Sequence, residues 1–135
     1  MQTFLPEPTF ALAVSRLDPR RLGKQRIEAM QILKALADPT YGWQHHPAVR
    51  MWRGFEESLQ GYYNACIWEW VHRGYRNSMP LYFPEPPTTP PPWLTPALIA
   101  SHRSNLLRKD PVWYSQFGWN VPNDLPYVWP KGDDQ

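Results

Sequence analysis

One cysteine, seven glycines and no long apolar run mark this chain of 135 residues by what it has little of. A lone cysteine, Cys66, leaves no internal disulfide, and within its apolar run it is expected to behave as a small inert hydrophobe. No stretch of about 18 apolar residues is present to cross a bilayer. The opening MQTFLPEPTF lacks the basic start and apolar centre of a signal peptide, so a soluble, cytoplasmic protein is expected. There is no GxxxxGK loop, no GxGxxG, no GxSxG elbow and no CxxC pair. Nucleotide hydrolysis, dinucleotide binding, serine hydrolysis and zinc binding are therefore unsupported, and no cofactor is expected. Strand-type alternation is nowhere sustained, so the expected class is all-α. With 42% hydrophobic and 15% aromatic residues, the chain is expected to bury one core in a single domain spanning 1–135.

Proline is what the sequence has in plenty, with 17 residues. An acceptor side chain followed by Pro marks a helix start, because the oxygen caps free N–H groups and Pro fits the first helical position. Asp18-Pro19 predicts a helix to about Ala37, and Thr95-Pro96 one through Leu107. Asp110-Pro111 predicts a short one ending near Gly118. His46-Pro47, a weaker cap, predicts one long helix to about His72. Three to four main helices result. In the second, Trp52, Phe55, Leu59, Tyr62, Cys66 and Trp70 recur at three and four residues, the spacing of a core stripe. Leu22, Ala29, Met30, Leu33 and Leu36 form a matching stripe in the first, and the two are expected to pack together.

Between Pro80 and Pro96 the chain reads PLYFPEPPTTPPPWLTP, eight of its prolines. Helix is excluded, and polyproline II is expected. The segment is either an ordered connection wrapped on the body by Tyr82, Phe83 and Trp93, or a ligand displayed to a proline-binding partner. From Asn120 the tail lacks periodicity; Tyr127, Val128 and Trp129 are expected to pin it before its last residues fray.

Net charge is only +2, but its distribution is uneven. From Arg16 to Arg53 there are eight bases (Arg16, Arg20, Arg21, Lys24, Arg26, Lys34, Arg50, Arg53) against Asp18, Glu28 and Asp38. Such asymmetry suits an anionic partner, although solvated helix faces are often basic too. On a helix Arg21, Lys24, Gln25 and Glu28 share one face, turned away from the apolar stripe. Glu28 is then either half of an ordinary surface pair with Lys24, worth about 0.3–0.5 kcal/mol, or an acid kept among phosphate-binding bases because it has a chemical task there. His45 and His46 are adjacent, a poor arrangement for chelation, so no metal is expected. Capping of the second helix or contact with phosphate suits them. Arg103, Arg108 and Lys109 followed by Trp113, Tyr114 and Phe117 join cations to aromatics, a mixture that fits either a core or the stacking of extruded bases.

RRLGKQRIEA with its acid at Glu28, YGWQHHPAVRMW, the RGY after the long helix and DPVWYSQFG together resemble the pyrimidine-dimer DNA glycosylase family, the phage endonuclease V type. The resemblance runs from Met1 to about Trp119 without the proline-rich insertion, and is closest to a bacterial branch of the family. It implies a single-domain helical DNA repair enzyme, a monomer near the nucleoid, that acts on damaged or modified double-stranded DNA. The implied chemistry is attack of the N-terminal α-amine on sugar C1′ to give a Schiff base, with a helix glutamate assisting both this step and strand cleavage by β-elimination. Carried onto this chain, Glu28 matches the glutamate. Because bulky Gln2 follows Met1, the amine is expected to be that of Met1, on an arm a few residues longer than the family's. An α-amine is partly neutral near pH 7 where a lysine is not, and a carboxylate beside a forming iminium stabilises its charge. Extrusion of the target nucleotide, or of its partner, would expose C1′. Expected DNA contacts are Arg20, Arg21, Lys24, Arg26, His45, His46, Arg50, Arg103, Trp113 and Tyr114, with the last two implicated in lesion recognition. A non-catalytic sensor of lesions or modified bases, and a polyproline-displaying interaction module, are the alternatives.

Overall fold

Acceptor–proline pairs do set the helix starts. In the computed structural model, which describes residues 1–130, Asp18, His46, Thr95 and Asp110 each accept a main-chain N–H two or three residues ahead. They open helices α2 (Pro19–Ala37), α3 (Pro47–Arg50), α5 (Pro96–Lys109) and α6 (Pro111–Tyr114). The remaining helices are α1 (Phe10–Ser15), capped by Thr9, and α4 (Glu56–His72). A 3-10 turn, Ser115–Phe117, follows α6 and closes on Gly118 at φ +67°. The described residues are helical without a strand, as the all-α expectation required.

One predicted boundary is corrected, and one helix is added. The single helix expected from Pro47 to His72 is broken after Arg50: Gly54 takes φ +88° and Phe55 leaves helical geometry at ψ 35°, so α4 restarts at Glu56. Glu56 and Glu57 in its first turn face the positive end of the helix dipole. Helix α1 was not expected, since Thr9 caps it without a following proline.

Helices α2 and α1 both pack against α4. Leu22, Ala29, Ile32 and Leu33 of α2 meet Leu59, Tyr62, Cys66 and Ile67 of α4 in one buried cluster, together with Trp52 from the turn before α4. Burial pushes the Cys66 thiol well up, in keeping with an unreactive core residue. Phe55 and Trp70 of the predicted stripe lie at its margin.

The proline-rich segment is docked against α4. Asn64 pairs its side-chain amide with both main-chain groups of Tyr82, at 2.9 and 3.1 Å. Ser58 donates to Thr89 O, and Trp93 packs edge-on to Trp52 at 4.9 Å. Gly61 lets the segment close in, because a Cβ there would stand 2.3 Å from Pro87 O. Phe83, expected to help wrap the segment, is instead 92% exposed. The tail is held as expected: Leu125 and Val128 N–H donate to Ser104 and Ser101 of α5, and Tyr127 packs on His102. The predicted fraying of the last residues falls outside the described range.

Candidate active site

The N-terminal arm, residues 1–7, covers the polar face of α2. Gln25, expected at the surface beside Arg21 and Lys24, is 1% exposed because that arm lies over it. Its carboxamide accepts from Phe4 N–H and donates to Gln2 O, both at 2.9 Å. The Tyr62 hydroxyl reaches Phe4 O at 2.8 Å, and Trp52 Nε1 donates to Thr3 Oγ1 at 3.0 Å. From α5, His102 Nδ1 accepts Leu5 N–H at 2.9 Å and Arg103 donates to Pro6 O at 2.6 Å. Glu7 closes the clamp with ion pairs to Arg103 at 2.7 Å and Arg16 at 3.0 Å. The extended arm, with no sheet partner, thus has main-chain groups of Gln2, Phe4, Leu5 and Pro6 paired with side chains of α2, α4 and α5.

The arm delivers its first residues to Glu28. Gln2 N–H donates to Glu28 Oε2 at 2.8 Å, a charge-assisted bond that locates the N-terminus on this carboxylate. Met1 precedes that nitrogen by one residue, and covalent geometry keeps its amine within about 3.7 Å of the Gln2 nitrogen. Met1, Gln2 and Glu28 line a cleft of about 380 Å³ together with Arg21, Lys24 and His46. Lys109, Tyr127 and Trp129 complete its other wall, so α5 and the tail border a site whose acid comes from α2. Burial pushes the pKa of the Tyr127 hydroxyl up, with the Gln2 side chain pulling the other way. A larger cavity, about 550 Å³, lies between α1, α4 and the proline-rich segment and shares none of these residues.

His46 serves two purposes. Its Nδ1 accepts Ala48 N–H at 3.0 Å as the α3 cap, so the neutral ring carries its proton on Nε2. Burial, then the N-terminal amine, hold its pKa below the ordinary value, while Glu28 pulls the other way. Edge-to-face contacts join it to Trp43 at 5.7 Å and Trp129 at 6.4 Å. Trp43 sits at φ +72°, a left-handed conformation that costs a bulky residue about 1–3 kcal/mol, yet its ring is 59% exposed. The loop holds it there: Gln44 Nε2 reaches the carbonyls of Ala35, Asp38 and Tyr41 at 2.7–3.0 Å, and Arg53 donates to Gln44 O.

A family model described as pyrimidine dimer DNA glycosylase matches residues 1–83, more than half of the chain. The chain belongs to the pyrimidine dimer DNA glycosylase family. No curated protein and no solved structure matches it. Membership makes the chain a DNA glycosylase by family, with damaged DNA as its substrate class. The matched part of this glycosylase holds the arm, Glu28, His46 and Trp43. Helix α5, whose His102 and Arg103 clamp the arm, lies beyond it. Among the described residues no helix is long and apolar enough to cross a membrane.

The expected DNA contacts separate into two groups. Arg21, Lys24 and His46 line the cleft, Arg20 and His45 are exposed, and Arg50 and Trp113 are half-buried. Three others are engaged inside the protein. Tyr114, expected at the DNA surface, is fully buried; its hydroxyl donates to Asp18 Oδ1 at 2.5 Å and accepts Asp18 N–H at 3.1 Å. Arg26 lies over the Trp70 ring at 4.2 Å and donates to Asn77, on the side of α2 away from Glu28. Arg103 is occupied by Glu7 and Pro6. These three hold the fold and are not carried forward as DNA contacts. Trp113, for its part, spends its indole N–H on Arg16 O at 2.8 Å. The clamp residues Gln25, Tyr62 and His102, the wall residue Tyr127 and the raised Trp43 were not singled out as site residues. A buried-face Gln and an in-helix His carry no spacing signal of their own.

Proposed function

We propose that this glycosylase also cleaves abasic sites, using the Met1 α-amine as nucleophile and Glu28 as its acid–base partner. The observation that carries the reading is the 2.8 Å bond from Gln2 N–H to Glu28, which holds the start of the chain on the one carboxylate that lines the basic cleft among the described residues. The Gln2 nitrogen is an amide whose lone pair is delocalised, so the reacting nitrogen is the Met1 amine beside it. That lone pair forms the bond to C1′ as the glycosidic bond breaks and the base leaves with the bonding electrons. Glu28 accepts a proton from the amine and returns one to O4′ as the sugar ring opens, which leaves an iminium between the chain and C1′. Glu28, again a carboxylate after protonating O4′, takes a C2′ proton, the C–H electrons form the C2′–C3′ double bond as the 3′ phosphate leaves, and water hydrolyses the iminium to return the free amine. Arg21, Lys24 and Lys109 hold the flanking phosphates, with Arg20, His45 and Arg50 extending the basic surface.

Mass analysis of the purified protein first defines its N-terminal residue. Borohydride reduction on duplexes holding a pyrimidine dimer or an abasic site then traps the iminium. A covalent adduct, located at the N-terminal peptide and lost in Glu28→Gln, is the expected result. Absence of any adduct while lesion DNA is still bound would leave a non-catalytic sensor.

A further inference from the structure

We propose that Trp43 is a base-stacking residue, which inserts at the lesion and packs against an unpaired nucleobase while His46 and Trp129 continue the aromatic surface towards the cleft. The inference rests on the DNA-glycosylase reading, since it names what the rim of that site contacts. Three observations carry it. Trp43 is an exposed indole in a left-handed backbone conformation. Its loop is not slack, because the Gln44 amide ties it to three carbonyls and Arg53 secures the next peptide. The indole also stands edge-on to His46, whose ring lines the Glu28 cleft and in turn meets Trp129. A strained, rigidly supported aromatic beside a basic cleft is placed to fill the gap left when a nucleotide is extruded. Lys24 and Arg21 supply the charge complementarity on the same side.

Stacking on a base is worth roughly 5- to 150-fold in affinity per aromatic removed. The test compares two duplexes of one sequence, the first fully paired and the second with a tetrahydrofuran abasic analogue facing 2-aminopurine. Trp43→Gly suits the left-handed backbone and removes the ring without threatening the fold, and Trp43→Phe keeps a ring. Wild type should bind the lesion duplex more tightly than the paired one and change the 2-aminopurine fluorescence. Trp43→Gly should lose roughly 5- to 150-fold on the lesion duplex only, with the fluorescence change abolished, and Trp43→Phe should recover most of both. Trp43→Gly binding both duplexes as wild type does, or losing equally on both, would overturn the inference while leaving the glycosylase reading intact. Failure of wild type to bind either duplex would overturn both together.

Discussion

His102 makes the arm sensitive to acid. The ring is fully buried in α5, and Nδ1 accepts Leu5 N–H at 2.9 Å, so the histidine is held neutral and burial alone brings its pKa down to about 3. An unfolded histidine titrates near 6.5. Because the folded value is the lower one, stability is fully present above about pH 6.5. It is lost as pH falls, since only the unfolded chain takes up the proton. Each pH unit below that point costs about 1.4 kcal/mol until the folded pKa is reached, so a fall from about pH 7.5 to about pH 5 removes about 2 kcal/mol. In a chain of this size that lowers the melting temperature by about 6–10 °C. The carboxylates whose pKa values are depressed do not enter this window. Asp18, whose burial is outweighed by hydrogen bonds from Tyr114 and Arg21, loses its contribution only below about pH 4. His46, lowered mainly by burial, adds a smaller contribution of the same sign. Thermal or urea melts of wild type and His102→Asn across this range make the test. Asparagine still offers an oxygen to Leu5 N–H but does not titrate, so its offset is constant and its pH slope shallower by about 2 kcal/mol over the interval. Equal slopes for the two proteins would refute the assignment of the acid sensitivity to this ring.

Tyr114→Phe deletes the hydroxyl that serves both Asp18 Oδ1 and Asp18 N–H, leaving a buried amide and carboxylate short of partners; a loss of about 1–3 kcal/mol in urea melts is expected, with DNA affinity at about pH 7.5 unchanged. Gly61→Ala pushes a methyl group to 2.3 Å from Pro87 O, so the proline-rich segment must lift from α4. Limited proteolysis should then cut between 80 and 96 several-fold faster than in wild type, whereas Gly42→Ala, with open space around it, should not change the pattern. Lys24→Ala, at an exposed position on the cleft, should weaken lesion and undamaged duplexes alike and lower the dependence of log K on log salt by about 1.

Local chemistry was legible in the sequence, and long-range cover was not. Asp18-Pro19, His46-Pro47, Thr95-Pro96 and Asp110-Pro111 announced their helices because capping is settled within four residues. The α2 and α4 stripes announced the central packing for the same reason. Gly54 hid the break before α4, since glycine inside an apolar helical pattern reads equally well as tolerated or as left-handed. Gln25 looked like surface because helical periodicity records which side of α2 faces α4, and says nothing of a strand laid over the other side. Tyr114 and Arg103 looked like nucleic-acid contacts because residue type alone does not distinguish a free phenol or guanidinium from one already bound to Asp18 or Glu7.

Anchoring and proton transfer are separable roles for Glu28, the first seen in its bond to Gln2 N–H and the second proposed, and the choice of substitution decides which is measured. As an acceptor it anchors Gln2 N–H, and as a carboxylate it can take and return protons. Glutamine keeps an oxygen for Gln2 N–H, which weakens that bond by about 1 kcal/mol on passing from a charged to a neutral acceptor. The arm has further fastenings at Gln25, Tyr62, His102 and Arg103, so a change of that size does not release it. Alanine removes both functions. If anchoring were the whole role of Glu28, Glu28→Gln would trap abasic DNA at close to the wild-type rate and only Glu28→Ala would fail. If the charge is needed, the two variants fail together, and the melting temperature of Glu28→Gln stays within a few degrees of wild type. The comparison of the two variants, rather than either one alone, separates a chemical partner of the amine from a peg that merely holds the chain in place.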